Sequence, residues 1–207
     1  AAGASSLLAA LGWPALGVLM VIIGSILTLL LSVGDRSFFS GAGVIYAGLP
    51  VISLIWLRSD PALGFLAVVF LVLVVVATDV GAFIAGRLIG GKKLWPRVSP
   101  NKTWSGLLGG MSLSAIAAAA YSFAVPGAGF IRLALIGAVL AVIAQGGDLA
   151  ESSLKRHFHV KDTSALIPGH GGVMDRVDGL VAAALAVGLA ALIIDVHSPA
   201  RALLLGH

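Results

Sequence analysis

The amino-acid sequence predicts an all-α polytopic membrane protein with about six transmembrane helices. Three observations predict it. Hydrophobic residues make up 59% of 207 residues and mean hydropathy is +1.07, well beyond a soluble domain, which still needs a polar surface toward water. Apolar runs close to the roughly 20 residues that cross a 30 Å hydrocarbon core recur six times. Charged residues, only 11% of the chain, gather at one end of those runs.

Taken in order, the first run covers about 14–33 ("PALGVLMVIIGSILTLLLSV"). The second, about 41–57 ("GAGVIYAGLPVISLIWL"), is shorter and interrupted by Pro50. The third covers about 61–84 ("PALGFLAVVFLVLVVVATDVGAFI"), the fourth about 106–125 ("GLLGGMSLSAIAAAAYSFAV"), the fifth about 130–149 ("FIRLALIGAVLAVIAQGGDL") and the sixth about 179–196 ("GLVAAALAVGLAALIIDV"). Their β-branched stretches do not argue for strands, because spanning backbone satisfies its hydrogen bonds within a helix or a closed barrel. A barrel would show short alternating segments, which these runs lack.

Six crossings place loops 34–40, 85–105 and 150–178 on one side, with both termini on the other. The first side holds Arg36, Arg87, Lys92, Lys93, Arg97, Lys102, Lys155, Arg156, Lys161 and Arg176; the second holds Arg58, Arg132 and Arg201. The positive-inside rule then puts the three busy loops in the cytoplasm. Seven of the nine acids follow them, leaving Asp60 and Asp195 elsewhere. Both charge signs crowded on one face indicate a cytoplasmic-face active site rather than simple anchoring.

The chain has no cysteine, so disulfides and thiolate metal sites are excluded. A formal charge of +4 and a pI near 9.9 are assigned to cytoplasmic loops rather than to nucleic acid. The N-terminus, "AAGASSLLAALGWPALG", lacks the basic region of a signal peptide. It also lacks an initiator Met, consistent with an N-terminally truncated chain. No repeat or linker breaks residues 1–207, so a single transmembrane domain is expected.

The carboxylates come first among the chemistry-bearing residues. Asp148 and Glu151 are three apart, as are Asp175 and Asp178, so each pair can share a helical face. Asp148 falls at the end of the fifth run, where the macrodipole disfavours an anion and calls for a cationic partner. Converging carboxylates suit a hard cation, magnesium above all. Ion pairs with Lys155, Arg156 and Arg176 are the competing explanation. Asp79, an acid inside the third run, is a further site candidate, with pairing to Arg87 as its alternative.

Lys155, Arg156, Lys161, Arg176 and Lys102 can neutralise phosphate oxygens. "PGHGG" (168–172) supplies glycines whose N–H groups can approach an anion, or forms a plain turn. Basic groups, phosphate and acid-bound magnesium are the ingredients of phosphoryl or nucleotidyl transfer. In "GRLIGGKKLWPRVSPNKTWSG" (86–106), Ser99, Asn101, Lys102, Thr103 and Ser105 offer polar groups, though the P-loop spacing is absent. Ser99 or Thr103 can instead cap the fourth helix. His170 is a base, a phosphate ligand or a loop-ordering residue.

The segment "SSLKRHFHVKDTSALIPGHGGVMDRVD" (152–178) resembles the signature of the phosphatidate cytidylyltransferases, or CDP-diacylglycerol synthases. That signature runs S-x-apolar-K-R, four residues, K-D-x-small, two residues, apolar-P-x-H-G-G-apolar-x-D-R-apolar-D. Ser152, Lys155, Arg156, Lys161, Asp162, Ser164, Pro168, His170, Gly171, Gly172, Asp175, Arg176 and Asp178 fall in register. "GGDLAES" (146–152), "SPNKTW" (99–104) and "DVGAFIAGR" (79–87) are similar to further family segments, so the resemblance covers about residues 79–180, densest at 146–180. Ser105 stands where the family favours Glu, which leaves an acidic role there in doubt. The family is also usually longer at its N-terminus, so missing helices would carry packing, dimer contacts or part of a lipid groove.

The resemblance implies transfer of CMP from CTP to phosphatidate, giving CDP-diacylglycerol and pyrophosphate for phospholipid biosynthesis. It implies catalytic roles for Asp148, Lys155, Arg156, Lys161, Asp162, His170, Asp175, Arg176 and Asp178. Substrate binding would fall to Ser99, Lys102, Thr103, Asp79, Ser152, Gly171 and Gly172. Magnesium, in more than one site, would be held by Asp148, Glu151, Asp175 and Asp178. The implied partners are CTP, phosphatidate, the bilayer of a bacterial cytoplasmic membrane and a second copy in a homodimer, with no nucleic acid. A CTP-dependent lipid kinase is the alternative enzyme, and an ion-coupled transporter the alternative of another class. A CDP-alcohol phosphotransferase is disfavoured, because no D-G-x-x-A-R segment is present.

Overall fold

The computed structural model describes residues 2–10, 13–32, 37–158 and 177–207. In chain order these form α1 (Ala2–Ala10), α2 (Pro14–Leu31), α3 (Ser37–Arg58), α4 (Gly64–Leu88), β1 (Lys93–Trp95), β2 (Ser99–Thr103), α5 (Trp104–Tyr121), a 3-10 turn (Ser122–Ala124), α6 (Phe130–His157), α7 (Asp178–Ile194) and α8 (Pro199–Leu204). Among the described residues, α2 to α6 supply five helices long and apolar enough to cross a membrane. α7, of 17 residues, is a shorter apolar helix. The protein is therefore a helical, multi-pass membrane protein, and five long helices plus α7 answer to the six runs. Leu30, Leu135 and Val139 are among the apolar side chains left 73%, 63% and 59% exposed, as lipid-facing positions require.

Local chemistry sets the helix ends. Pro14 stands in the first turn of α2, where a missing N–H has no intrahelical partner to lose. Pro50 lies inside α3, yet the helix runs on for its full 22 residues; spanning helices tolerate such a proline when neighbouring groups re-satisfy the freed carbonyl. Ahead of α4, Asp60 turns the chain by accepting hydrogen bonds from the Ala62 and Leu63 N–H groups at 3.0 and 2.9 Å.

Residues 1–68 with 184–207 form one compact unit and residues 69–183 another. In the first, α1, α2 and α3 pack around Ala9, Val21 and Ile52, bordered by Val18, Val44, Leu49 and Ile55. The Ser25 hydroxyl donates to the Gly41 carbonyl at 2.9 Å, tying α2 to α3. In the second, small residues let helices approach closely, as helix association without a hydrophobic drive demands. A Cβ on Gly110 of α5 would lie 2.9 Å from the Thr78 carbonyl of α4 and 2.7 Å from the Gln145 amide of α6. The Ser114 hydroxyl donates to the Gly137 carbonyl at 2.8 Å, joining α5 to α6.

Three features depart from the sequence expectations. α6 continues to His157, so Ser152, Lys155 and Arg156 stand on a helix and not in a loop. Ala150, Glu151, Leu154, Lys155 and Arg156 are good helix formers, Glu151 and Lys155 make an i,i+4 pair, and Lys155, Arg156 and His157 complement the dipole in the last turn. The stretch 85–105 contains an antiparallel hairpin, with Lys93 opposite Thr103 and Trp95 opposite Ser99. α1 and α8 have no counterpart among the expected elements: each is too short to carry a spanning signal.

Candidate active site

The second unit brings α4, the hairpin, α5 and α6 together around one cavity of about 560 Å³. α4 contributes Asp79, Phe83, Gly86 and Arg87 to its wall, β2 contributes Asn101, Lys102 and Thr103, and α6 contributes Gln145 and Asp148. Two glycines explain the proximity of α4 to β2 and α5. A Cβ on Gly86 would lie 3.2 Å from the Thr103 hydroxyl, and one on Gly106 only 3.1 Å from the Ala82 carbonyl.

Lys102 is the centre of the polar contacts. Its ammonium lies 2.6 Å from the Asp148 carboxylate and donates to the Gln145 carbonyl at 3.2 Å. This is the cationic partner expected for Asp148, and it comes from β2, whereas Lys155 faces Glu151. The macrodipole argument does not survive, because Asp148 is nine residues ahead of the end of α6 and the dipole's effect is confined to the last turn. The Ser152 hydroxyl donates to the other Asp148 oxygen at 3.3 Å, a weak contact along the same helix face.

Thr103 acts as the N-cap of α5: its hydroxyl accepts from the Gly106 N–H at 3.0 Å and lies 3.0 Å from the Ser105 hydroxyl. The capping alternative considered for Thr103 is therefore the observed one, and the same residue also lines the cavity. Ser99 pairs with Trp95 at the far end of the hairpin, away from the described cavity wall. Ser105 bonds the Gly90 carbonyl, fastening the hairpin's entry to the start of α5. Arg87 lies over the Phe83 ring, 5.7 Å from its centroid, so the alternative that it pairs with Asp79 is not what the structure adopts.

Glu151 is buried, 3.7 Å from the Lys155 ammonium. It is among the groups that act on the Asp178 carboxyl at the start of α7. Burial is the main reason the Asp178 carboxyl is pushed above its usual range, and the Asp148 charge adds to it. The Gly179 N–H, 2.6 Å from Asp178, works in the opposite direction. Asp79 lies in the same electrostatic field as Asp148, Asp178 and Lys102.

This donor set fits a hard divalent cation in chemistry: carboxylate oxygens in excess over the cation that faces them. Among the described residues, no three or more acids or histidines are yet arranged around a single metal position. Asp175, Lys161, Asp162, His170, Gly171, Gly172 and Arg176 lie outside the described residues. Several lining residues, among them Arg87, Gln145 and Phe83, were not singled out as site residues by sequence reasoning. Gln145 is a lone amide in an apolar run, a signal that was available. Phe83 carries no signal, since one aromatic among many in a spanning helix is unremarkable.

Residues 4–194 match the family model described as the Cytidylyltransferase family. The chain is 49% identical over 143 residues to a phosphatidate cytidylyltransferase of Brucella suis biovar 1 (strain 1330), covering 69% of this chain and 53% of that protein. It is 37% identical over 151 residues to the phosphatidate cytidylyltransferase of Bacillus subtilis (strain 168), covering 71% and 55%. With that of Staphylococcus haemolyticus (strain JCSC1435) it shares 42% over 139 residues, covering 67% and 52%. The chain thus spans about half the length of the curated relatives it matches.

Proposed function

The chain belongs to the Cytidylyltransferase family, and from that premise we propose that it transfers CMP from CTP to phosphatidate, forming CDP-diacylglycerol and pyrophosphate. The observation that carries the reading is the cavity in which Lys102 joins Asp148 beside Asp79 and Arg87, at one end of apolar helices. A phosphate oxygen of phosphatidate attacks the α-phosphorus of CTP. The new P–O bond forms as the bond from that phosphorus to the oxygen bridging to the β-phosphate breaks, and the electron pair leaves with pyrophosphate. The attacking phosphomonoester is already largely anionic near neutral pH, so no strong general base is needed. Positioning and charge neutralisation carry the catalysis.

In this reading Lys102 and Arg87 hold phosphate oxygens, joined by Lys155, Arg156, Lys161 and Arg176, while Asn101 and Thr103 contribute to nucleotide or headgroup binding. Asp148, Asp175 and Asp178, with Glu151, would hold magnesium, which when bound neutralises phosphate charge and makes the α-phosphorus more electrophilic. The setting is the bacterial cytoplasmic membrane with the cavity open to the cytoplasm, where a water-soluble nucleotide and a leaflet-bound lipid can meet. The reading extends to a homodimer, checked by the mass of the detergent-solubilised protein.

The test is turnover in detergent with CTP labelled at either the α or the γ phosphorus, with and without magnesium. Label from the α position in lipid, as CDP-diacylglycerol by mass, is the expected result. Label from the γ position in lipid would make the protein a lipid kinase, and ion flux without any lipid product would make it a transporter. Asp148→Asn, Asp175→Asn and Asp178→Asn are each expected to abolish turnover with the fold intact, and native activity in any of them would end the metal assignment.

A further inference from the structure

The hairpin between α4 and α5 carries a surface that the proposed reaction does not use. α4 ends at Leu88 and α5 begins at Trp104, and both are candidate membrane spans, so residues 89–103 must lie at the bilayer surface. Residues 88–104 contain Lys92, Lys93, Arg97 and Lys102 and no acid at all. Lys102 is engaged by Asp148, whereas Lys92, Lys93 and Arg97 are exposed. Trp95 and Trp104 are 54% and 50% exposed, and Leu88 and Ile89, where the chain leaves α4, are 80% and 75% exposed. Lys93 and Trp95, two apart on β1, are both exposed, with Leu94 between them half-buried.

This surface is held in place. Gly90 and Gly91 take φ values of 63° and 96°, which glycine adopts without strain, and so turn the chain out of α4. The Trp104 N–H donates to the Lys92 carbonyl at 3.1 Å, and the Ser105 hydroxyl donates to the Gly90 carbonyl, closing the hairpin's base. Orienting a membrane protein needs cations near the ends of its spans, but it needs neither a folded hairpin nor tryptophans beside those cations. Indole rings settle at the level of the headgroups, and each surface cation there attracts anionic lipid.

We propose that the β1–β2 hairpin is an anionic-phospholipid docking surface, with Trp95 and Trp104 seated among the headgroups and Lys92, Lys93 and Arg97 holding lipid phosphates. Asn101 and Lys102 of the same hairpin line the cavity, so the surface gathers anionic lipid at the cavity's edge. The docking does not depend on the chemistry proposed above, and its test involves no turnover.

The test uses the 207-residue chain with Trp95 as its single tryptophan (Trp13→Phe, Trp56→Phe and Trp104→Phe), reconstituted in phosphatidylcholine vesicles. A minor fraction of the lipid is brominated phosphatidylglycerol in one set and brominated phosphatidylcholine in the other. Trp95 emission should report a local enrichment of the anionic lipid of about five-fold or more. That enrichment should fall close to one in Lys92→Gln/Lys93→Gln/Arg97→Gln. In the Trp95 protein that keeps all three cations it should collapse as salt is raised, a readout that stands even if the triple variant fails to fold. Equal quenching by the two lipids, no quenching by either, or enrichment that survives both charge neutralisation and salt would overturn the proposal. Loss of enrichment on adding inorganic phosphate at constant ionic strength would reassign the cations to a soluble phosphate and overturn it equally.

Discussion

Gly110→Ala is the most informative single perturbation, because one methyl group is placed between three helices beneath the cavity. The added Cβ would lie 2.9 Å from the Thr78 carbonyl on α4 and 2.7 Å from the Gln145 side-chain nitrogen on α6. Ordinary contact begins at about 3.4 Å, so the Thr78 contact is short by about half an ångström and the Gln145 contact by somewhat more. The Gln145 amide can turn aside, at the expense of its 3.4 Å hydrogen bond to the Leu107 carbonyl. Thr78 presents backbone, so relief there requires α4 itself to shift. Overpacking of this kind costs about 1–3 kcal/mol. α4 carries Asp79 and Arg87, and the Gln145 carbonyl holds Lys102, so the strain reaches the cavity. A misplacement approaching 1 Å lowers turnover by up to roughly 10²-fold. Gly146→Ala is the matched control: it lies in α6 with nothing within 4 Å of the added Cβ. It should be neutral or stabilise by about 0.5–1 kcal/mol through helix propensity. Unfolding in detergent and initial rates of CDP-diacylglycerol formation measure both effects. If Gly110→Ala matches the native protein in stability and rate, the reasoning about this three-helix junction is wrong.

Three further outcomes follow from the site. A double-mutant cycle over Lys102→Met and Asp148→Asn, read from detergent unfolding, should give a coupling of about 1 kcal/mol, because Asp148 is 38% exposed and solvent weakens the pair; additive effects would mean that the 2.6 Å contact contributes nothing. Thr103→Val should lower stability by about 1 kcal/mol through loss of the α5 cap, and an unchanged unfolding midpoint would exclude that role. Asp178 has its carboxyl raised in the folded protein, so its contribution favours the fold at low pH and is lost as pH rises through the raised value. In chelator, Asp178→Asn should therefore gain stability relative to the native protein as pH rises, and a difference that does not vary with pH would remove Asp178 from the account.

Much of the architecture was legible because the bilayer acts on composition and length. Each of the six apolar runs overlaps a helix, since a spanning segment has few alternatives to hydrogen-bonding its own backbone. The extension of α6 to His157 was not legible in that way, because polar helix beyond the hydrocarbon carries no hydropathy signal. The hairpin was equally silent: its pairing rests on backbone hydrogen bonds and on turns at Gly90 and Gly91, within a segment whose composition reads as loop.

The sequence alone determined the class of the protein, the end of the helices at which its charge collects, and the family that its spaced polar residues resemble. It did so because hydropathy and motif spacing are properties of the chain taken in order. Only the tertiary structure decided that Asp148 is answered by Lys102, 46 positions earlier, and not by the cations just after it. The physical reason lies in the glycines at 86, 106 and 110. By leaving out side chains they let α4, α5 and α6 approach closely enough for β2 to reach across to α6.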